Sequence, residues 1–121
     1  MKHCLILDDS DVIRKVVRRM LERAHFRVSE AADAREALER CVPSQPDLIL
    51  VDWHMPAMGG TEFISALRHT EIGQRPYTIY CTTEYDPVDI VRAFEAGADN
   101  YLMKPFTRAE LMTVVFEAGL G

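Results

Sequence analysis

Apolar and polar positions follow two different periods along this chain, and each change of period marks an element. Four consecutive apolar residues, Leu48-Ile49-Leu50-Val51, end in Asp52 and lie between Pro46 and Pro56. An unbroken apolar run of that length suits a strand covered on both faces in a parallel sheet. Residues 3–8, His-Cys-Leu-Ile-Leu-Asp, repeat the design, with Asp9 directly after Asp8. From 11 to 24 the period lengthens. Ile13, Val16, Val17, Met20, Leu21 and Ala24 recur at helical spacing, which predicts a helix with these residues inward. Arg14, Lys15, Arg18, Arg19, Glu22 and Arg23 take the opposite face, read as solvated, with a docking surface for an acidic partner as the alternative.

The rest of the chain continues the alternation. Residues 26–31 read as a short strand, after which Asp33 and Glu36 form a capping arrangement for a helix with Ala34, Ala37, Leu38 and Cys41 inward. Pro43 and Pro46 break that helix before the Asp52 strand. Residues 53–60 read as a loop, because Pro56 and the Gly59-Gly60 pair oppose regular structure. A helix follows over 61–68 with Phe63, Ile64 and Leu67 inward, then a polar surface loop over 69–75 and a β-former-rich strand over 76–83. Asp86 before Pro87 predicts a capped helix start, and the helix carries Ile90, Val91 and Phe94 before stopping at Gly97. A fifth strand over 99–103 ends at Lys104-Pro105. Thr107 and Glu110 then make a capping box for a last helix with Leu111, Val114, Val115 and Ala118 toward the core, ended by Gly119.

Five strands alternating with five helices require crossover connections and a parallel sheet. The predicted class is α/β, a flavodoxin-like doubly wound sandwich of five βα units with strand order 2-1-3-4-5. In that order strand 1 lies beside strand 3, bringing Asp8 and Asp9 next to Asp52 at the switch point, outside the carboxyl ends where such sheets bind ligands.

Length and composition narrow the function. The 121 residues fit one domain, read as residues 1–121 with no output domain. A net charge of −5 argues against general affinity for nucleic acid or anionic membrane. No apolar run approaches a membrane span and no signal peptide is evident, so the cytoplasm is the expected compartment. Cys4, Cys41 and Cys81 are odd in number and sit in apolar patterns, as buried reduced thiols do. Without Cys-x-x-Cys or His-x-x-x-His spacing, a transition-metal site is not expected.

The candidate chemistry lies at the carboxyl edge. Three carboxylates there repel one another, and a hard divalent cation such as Mg²⁺ relieves this by accepting oxygen ligands. The plainer reading is that Asp8 or Asp9 caps the first helix. Lys104 and Thr82, at the ends of strands 5 and 4, reach the same edge. Alone, each is unremarkable. Together with the acids they make a phosphoryl-transfer pocket, one carboxylate acting as nucleophile while metal and lysine neutralise phosphoryl oxygens.

Asp8-Asp9-Ser10, the run LILVDWHMP at 48–56, the Thr82-Thr83 strand end and EAGADNYLMKPF at 95–106 together resemble the receiver domain of bacterial response regulators. The likeness spans essentially the whole chain and is nearest the stand-alone chemotaxis type, with a tryptophan after the acceptor acid. It implies that Asp52 is the phosphoacceptor, charged by a histidine kinase, a phosphotransfer protein or a small acyl phosphate. Asp8, Asp9 and Asp52 would hold Mg²⁺ with the backbone carbonyl of His54. Thr82 would hydrogen-bond the phosphoryl group, and Lys104, ahead of a cis Pro105, would pair with it. Tyr101 would swing inward, altering the face of helix 4, strand 5 and helix 5 that binds a downstream target. Read from its residue type, Tyr101 is equally an amphipathic side chain with its hydroxyl at the surface.

The resemblance also implies a phosphorylation-switched binding module rather than an enzyme, serving chemotaxis, motility or a phosphorelay without nucleic acid or membrane insertion. A monomer is expected, with dimerisation on activation left open. His54 and Glu84 occupy positions that border the attacking water in this family, Thr83 is larger than the usual alanine or glycine, and Gly59 replaces a frequent polar residue. As a loop histidine with no second histidine nearby, His54 reads as solvent-facing rather than as a side-chain metal ligand. Two rivals are an aspartyl-phosphate phosphohydrolase and a receiver-like module that binds partners unphosphorylated. The first calls for an acid where His54 stands and for a substrate cap.

Overall fold

Every residue of strands β1 (His3–Leu7) and β3 (Leu48–Asp52) is buried, as their unbroken apolar runs require. The computed structural model describes residues 1–55, 57–70 and 76–120. In chain order the other elements are α1 (Asp11–Arg23), β2 (Arg27–Ala31), α2 (Ala34–Cys41), α3 (Gly60–Arg68), β4 (Tyr77–Thr82), α4 (Pro87–Ala96), β5 (Asn100–Met103) and α5 (Arg108–Glu117). The five strands form one parallel sheet in the order β2-β1-β3-β4-β5, as the alternation predicts.

Because side chains alternate across a strand, the sheet divides its apolar residues between two layers. Leu5, Leu7, Ile49 and Val51 pack with Phe63, Ile64 and Leu67 of α3 and Ala34, Ala37 and Cys41 of α2. Cys4, Ile6, Leu48 and Leu50 pack with Val17 and Leu21 of α1 and Leu111, Val114 and Val115 of α5. All three cysteines are free and buried. Burial lifts each thiol, Cys41 to about 11 and Cys81 to about 12.

Local signals place most boundaries. The Asp33, Asp86 and Thr107 side chains accept the backbone N–H groups of Glu36, Val88 and Glu110, and Glu110 completes the capping box at Thr107. At α2 the Glu36 carboxylate accepts instead from the Ala32 N–H, 2.8 Å away. Gly97 ends α4 at φ 122°, and a side chain there would meet Arg68 Cγ at 2.6 Å. The Arg68 guanidinium occupies that space, donating to Gly97 O, Thr78 Oγ1 and Asp99 Oδ2 and so tying α3 to the start of β5.

Four expectations need correction. Ile13 and Val16 are 37% and 48% exposed, since only the Val17 and Leu21 side of α1 reaches the sheet. Arg14 and Arg18, read as solvated, are half-buried against Glu30 of β2, with Arg14 Nε 3.0 Å and Arg18 Nη1 2.6 Å from its carboxylate. Neither Asp8 nor Asp9 caps α1: Ser10 does, its hydroxyl accepting from the Ile13 N–H. Finally, Gly60 is not loop but the first residue of α3, because its missing side chain lets the helix start against the Asp52 carbonyl and the Tyr80 ring. The readings of Pro56 and of residues 71–75 lie outside the described residues. Among the described residues no helix is long and apolar enough to cross a membrane.

Candidate functional site

Parallel pairing of β1, β3 and β4 sets their carboxyl ends side by side, with Asp52 level with Cys81 and Asp8 one residue beyond the end of β1. Asp8, Asp9 and Asp52 converge there, one carboxylate oxygen from each lying within 4.8 Å of the others. Asp8 and Asp52 are buried, while Asp9 is exposed. From the far side of Asp52, the turn after β5 brings in Lys104. Its backbone N–H donates to Thr82 O at 2.7 Å, and the peptide to Pro105 is cis, as the resemblance implied. Lys104 Nζ donates to Asp8 Oδ2 at 2.9 Å and to Asp52 Oδ1 at 3.1 Å.

This arrangement leaves a definite set of oxygens free. Asp8 Oδ1 accepts the Ser10 N–H at 2.9 Å. Asp52 Oδ2 and both oxygens of Asp9 accept no hydrogen bond among the described residues. Three acids converge here with one lysine between two of them, so the donor set suits a hard cation. Burial raises the pKa of Asp52. Lys104 opposes that rise, whereas the charges of Asp8 and Asp9 add to it. For Lys104, burial works against the charged form, but the hydrogen bonds to Asp8 and Asp52 outweigh it and the pKa rises. The two carboxylates thus favour the charged ammonium of Lys104.

The other expected residues occupy the rim. Thr82 is buried, and its hydroxyl is engaged within its own loop, donating to Glu84 O at 3.1 Å and accepting the Glu84 N–H at 3.2 Å. Thr82 and Glu84 share a cleft with Trp53, Asp89 and Arg92. The side chain of His54 is exposed, its ring stacked obliquely on Trp53 at 5.3 Å, while its carbonyl accepts no hydrogen bond among the described residues. Tyr101 is half-buried. Its ring meets Phe94 edge-on and lies tilted to Tyr85, both at 6.4 Å.

Sequence reasoning missed residues that support this site. Ser10 stood where an N-cap belongs, directly before the periodic run, and that signal was legible. Arg14 was hidden by the amphipathic pattern: its guanidinium donates to Asp8 O at 2.6 Å, and only the packing of α1 beside β2 reveals it. Tyr80 read as a β-former. Its hydroxyl in fact reaches Asp89 of α4 at 2.7 Å.

Comparison with known proteins sets this geometry in a family. The model described as response regulator receiver domain matches residues 4–116. The phosphate regulon transcriptional regulatory protein PhoB of Escherichia coli is 34% identical over 111 residues, covering 92% of this chain and 48% of that protein. The transcriptional regulatory protein SrrA of Staphylococcus aureus is 37% identical over 108 residues, 89% of this chain and 44% of that one. The chain thus spans about half the length of these curated relatives. Among solved structures, the chemotaxis protein CheY4 of Vibrio cholerae superposes with a TM-score of 0.93 at 34% identity, over 98% of each chain. The receiver domain of the sensor histidine kinase PA1611 of Pseudomonas aeruginosa, solved with a magnesium ion in its active-site cleft, gives 0.88 at 30% identity, again over 98% of each chain.

Proposed function

The chain belongs to the response regulator receiver domain family, and on that premise we propose that it is a phosphorylation-switched binding module with Asp52 as the acceptor. The observation that carries this reading is the division of the Asp52 carboxylate within the acidic cluster: Oδ1 is anchored by Lys104, while Oδ2 accepts no hydrogen bond among the described residues. An anchored carboxylate with one free oxygen is an oriented nucleophile. The free oxygen attacks the phosphorus of a phosphohistidine, the P–N bond breaks, and the imidazole leaves with the electron pair. Lys104 then pairs with the new phosphoryl oxygens.

Asp8, Asp9 and Asp52, with the His54 carbonyl, are the groups that would hold Mg²⁺, which when bound neutralises charge on the phosphoryl oxygens. The Mg²⁺-bearing relative supports this assignment, as does the cluster of three acids. Thr82 is assigned to the phosphoryl group and must release Glu84 to reach it. That release, with Tyr101 following, is the proposed route to a target-binding face on α4, β5 and α5, where Tyr85, Val88, Val91 and Phe94 stand exposed. The phosphoryl donor is a histidine kinase or phosphotransfer protein, and likeness to a chemotaxis protein favours a motility pathway.

The test uses Trp53, the sole tryptophan, as reporter. Mg²⁺ should change its fluorescence, and acetyl phosphate should then add a reversible change, with one phosphoryl group visible by intact mass in the wild type and absent in Asp52→Asn. Neither change in the wild type, with no adduct, overturns the reading. Steady hydrolysis of phosphate esters would favour the phosphohydrolase instead.

A further inference from the structure

We infer that Arg14 is a positioning residue for the acidic cluster, fixing where the Asp9 carboxylate stands by holding the peptide that precedes it. The inference rests on the assignment of Asp8, Asp9 and Asp52 to Mg²⁺.

The Asp9 carboxylate is the least anchored group of the cluster. It is exposed and takes part in no hydrogen bond or ion pair among the described residues, yet it stands within 4.8 Å of its two buried neighbours. Its direction therefore depends on the main chain. The Asp8 main chain is gripped on both sides: its N–H donates to Ala31 O at 3.2 Å, and its carbonyl, belonging to the peptide that leads into Asp9, accepts from Arg14 Nη1 at 2.6 Å. No other side chain among the described residues bonds that carbonyl. Arg14 is itself fixed, its Nε 3.0 Å from Glu30 Oε1 and its backbone N–H bonded to Ser10 O at 3.1 Å.

The guanidinium fork is what permits two simultaneous bonds, one to β2 and one to the acidic turn; an ammonium carries the same charge without that planar geometry. Glu30 stays ionised to receive it. Burial works against its charge, but hydrogen bonds from Arg18 and Arg14 prevail and its pKa falls. Arg18 supplies an internal contrast, because it bonds Glu30 and Val28 O but not Asp8.

A charge effect and a positioning effect have opposite signs here. A guanidinium beside three acids repels a divalent cation, so its removal should tighten Mg²⁺ binding if charge is all it contributes. If Arg14 positions Asp9, its removal should weaken binding despite the lost positive charge. Removing groups that orient metal ligands lowers metal affinity about 10–100-fold.

The experiment is Mg²⁺ titration of the full chain, read by Trp53 fluorescence and by calorimetry, for wild type, Arg14→Ala, Arg14→Lys and Arg18→Ala. Thermal melts in chelator establish folding. We expect about tenfold weaker Mg²⁺ binding in Arg14→Ala, a several-fold loss in Arg14→Lys, and unchanged or tighter binding in Arg18→Ala. If Arg14→Ala does not fold, Arg14→Lys carries the test, because it keeps the charge and any loss reports geometry. Unchanged or tighter binding in the Arg14 variants overturns the inference alone, as does an equal loss in Arg18→Ala. Absence of a Mg²⁺ response in the wild type overturns the metal assignment, and the inference with it.

Discussion

The hydroxyl of Tyr80, buried in the middle of the sheet, donates a 2.7 Å hydrogen bond to Asp89 Oδ2 in the first turn of α4. This bond clamps the start of the helix whose exposed face is the proposed output surface onto the strand that ends at Thr82. Burial, reinforced by Asp89, drives the pKa of the phenol up, so it remains a donor at any working pH. The two partners should not be equivalent on removal. Tyr80→Phe deletes the buried donor and should destabilise by about 0.5–1.5 kcal/mol, whereas Asp89→Ala strands a buried hydroxyl and should cost about 1–3 kcal/mol. Urea unfolding of both variants decides the order, and equal or reversed losses refute it.

Lys104 is the sole cation bonded to the carboxylates of Asp8 and Asp52 among the described residues. Lys104→Met leaves two nearly buried carboxylates facing each other. In chelator the variant should lose stability, with about 3–5 kcal/mol, the loss on breaking a fully buried pair, as the upper bound. Mg²⁺ should restore more of its melting temperature than it adds to the wild type, because the cation then meets uncompensated charge. Calorimetric melts with and without Mg²⁺ check this. Equal Mg²⁺ stabilisation of the two proteins would refute it.

Asp52→Asn should stabilise the metal-free protein at neutral pH. Burial raises the acceptor's pKa, so the folded state holds its proton more tightly than the unfolded chain does, and ionisation lowers stability as pH rises through that range. A neutral isostere escapes the penalty. The gain over wild type should be largest near pH 7 in chelator and should shrink as pH falls toward the ordinary carboxylate range, about 4. Melting curves across that range test it.

His3 should make the fold acid-sensitive. It is buried at the amino end of β1, its Nε2 2.8 Å from Ser29 Oγ. Burial lowers its pKa and Arg27 lowers it further, while Asp47 and the Gln45 backbone oppose. The unfolded chain therefore binds the proton more readily, and stability from this group falls as pH drops below the ordinary histidine value of about 6.5. The slope is at most about 1.4 kcal/mol per pH unit. His3→Gln should lose less stability than wild type between pH 7.5 and 5.5, and parallel curves would exclude the effect.

Much of this protein was legible from local pattern. Apolar runs ended by acids located β1 and β3, the 3.6-residue period located the helices, and Asp33, Asp86 and Thr107 marked helix starts that the structure keeps. These signals are short-range, and the parallel order that gathers Asp8, Asp9, Asp52 and Lys104 follows from their alternation. What the pattern could not reveal was which charged or apolar residue of a face finds a partner on another element. Ile13 and Val16 fit the periodic stripe yet stay partly exposed, because only the Val17 and Leu21 side of α1 reaches the sheet. Arg14 and Arg18 fit the polar stripe yet are recruited by Glu30, a residue of the neighbouring strand. Tyr80 and Asp89, and His3 and Ser29, become partners only when distinct elements pack. The sequence by itself determined the elements, their order and the acids of the pocket, because propensity and periodicity are properties of neighbouring residues. Tertiary structure decided which side chains steady that pocket, because a buried polar group must find its partner across space.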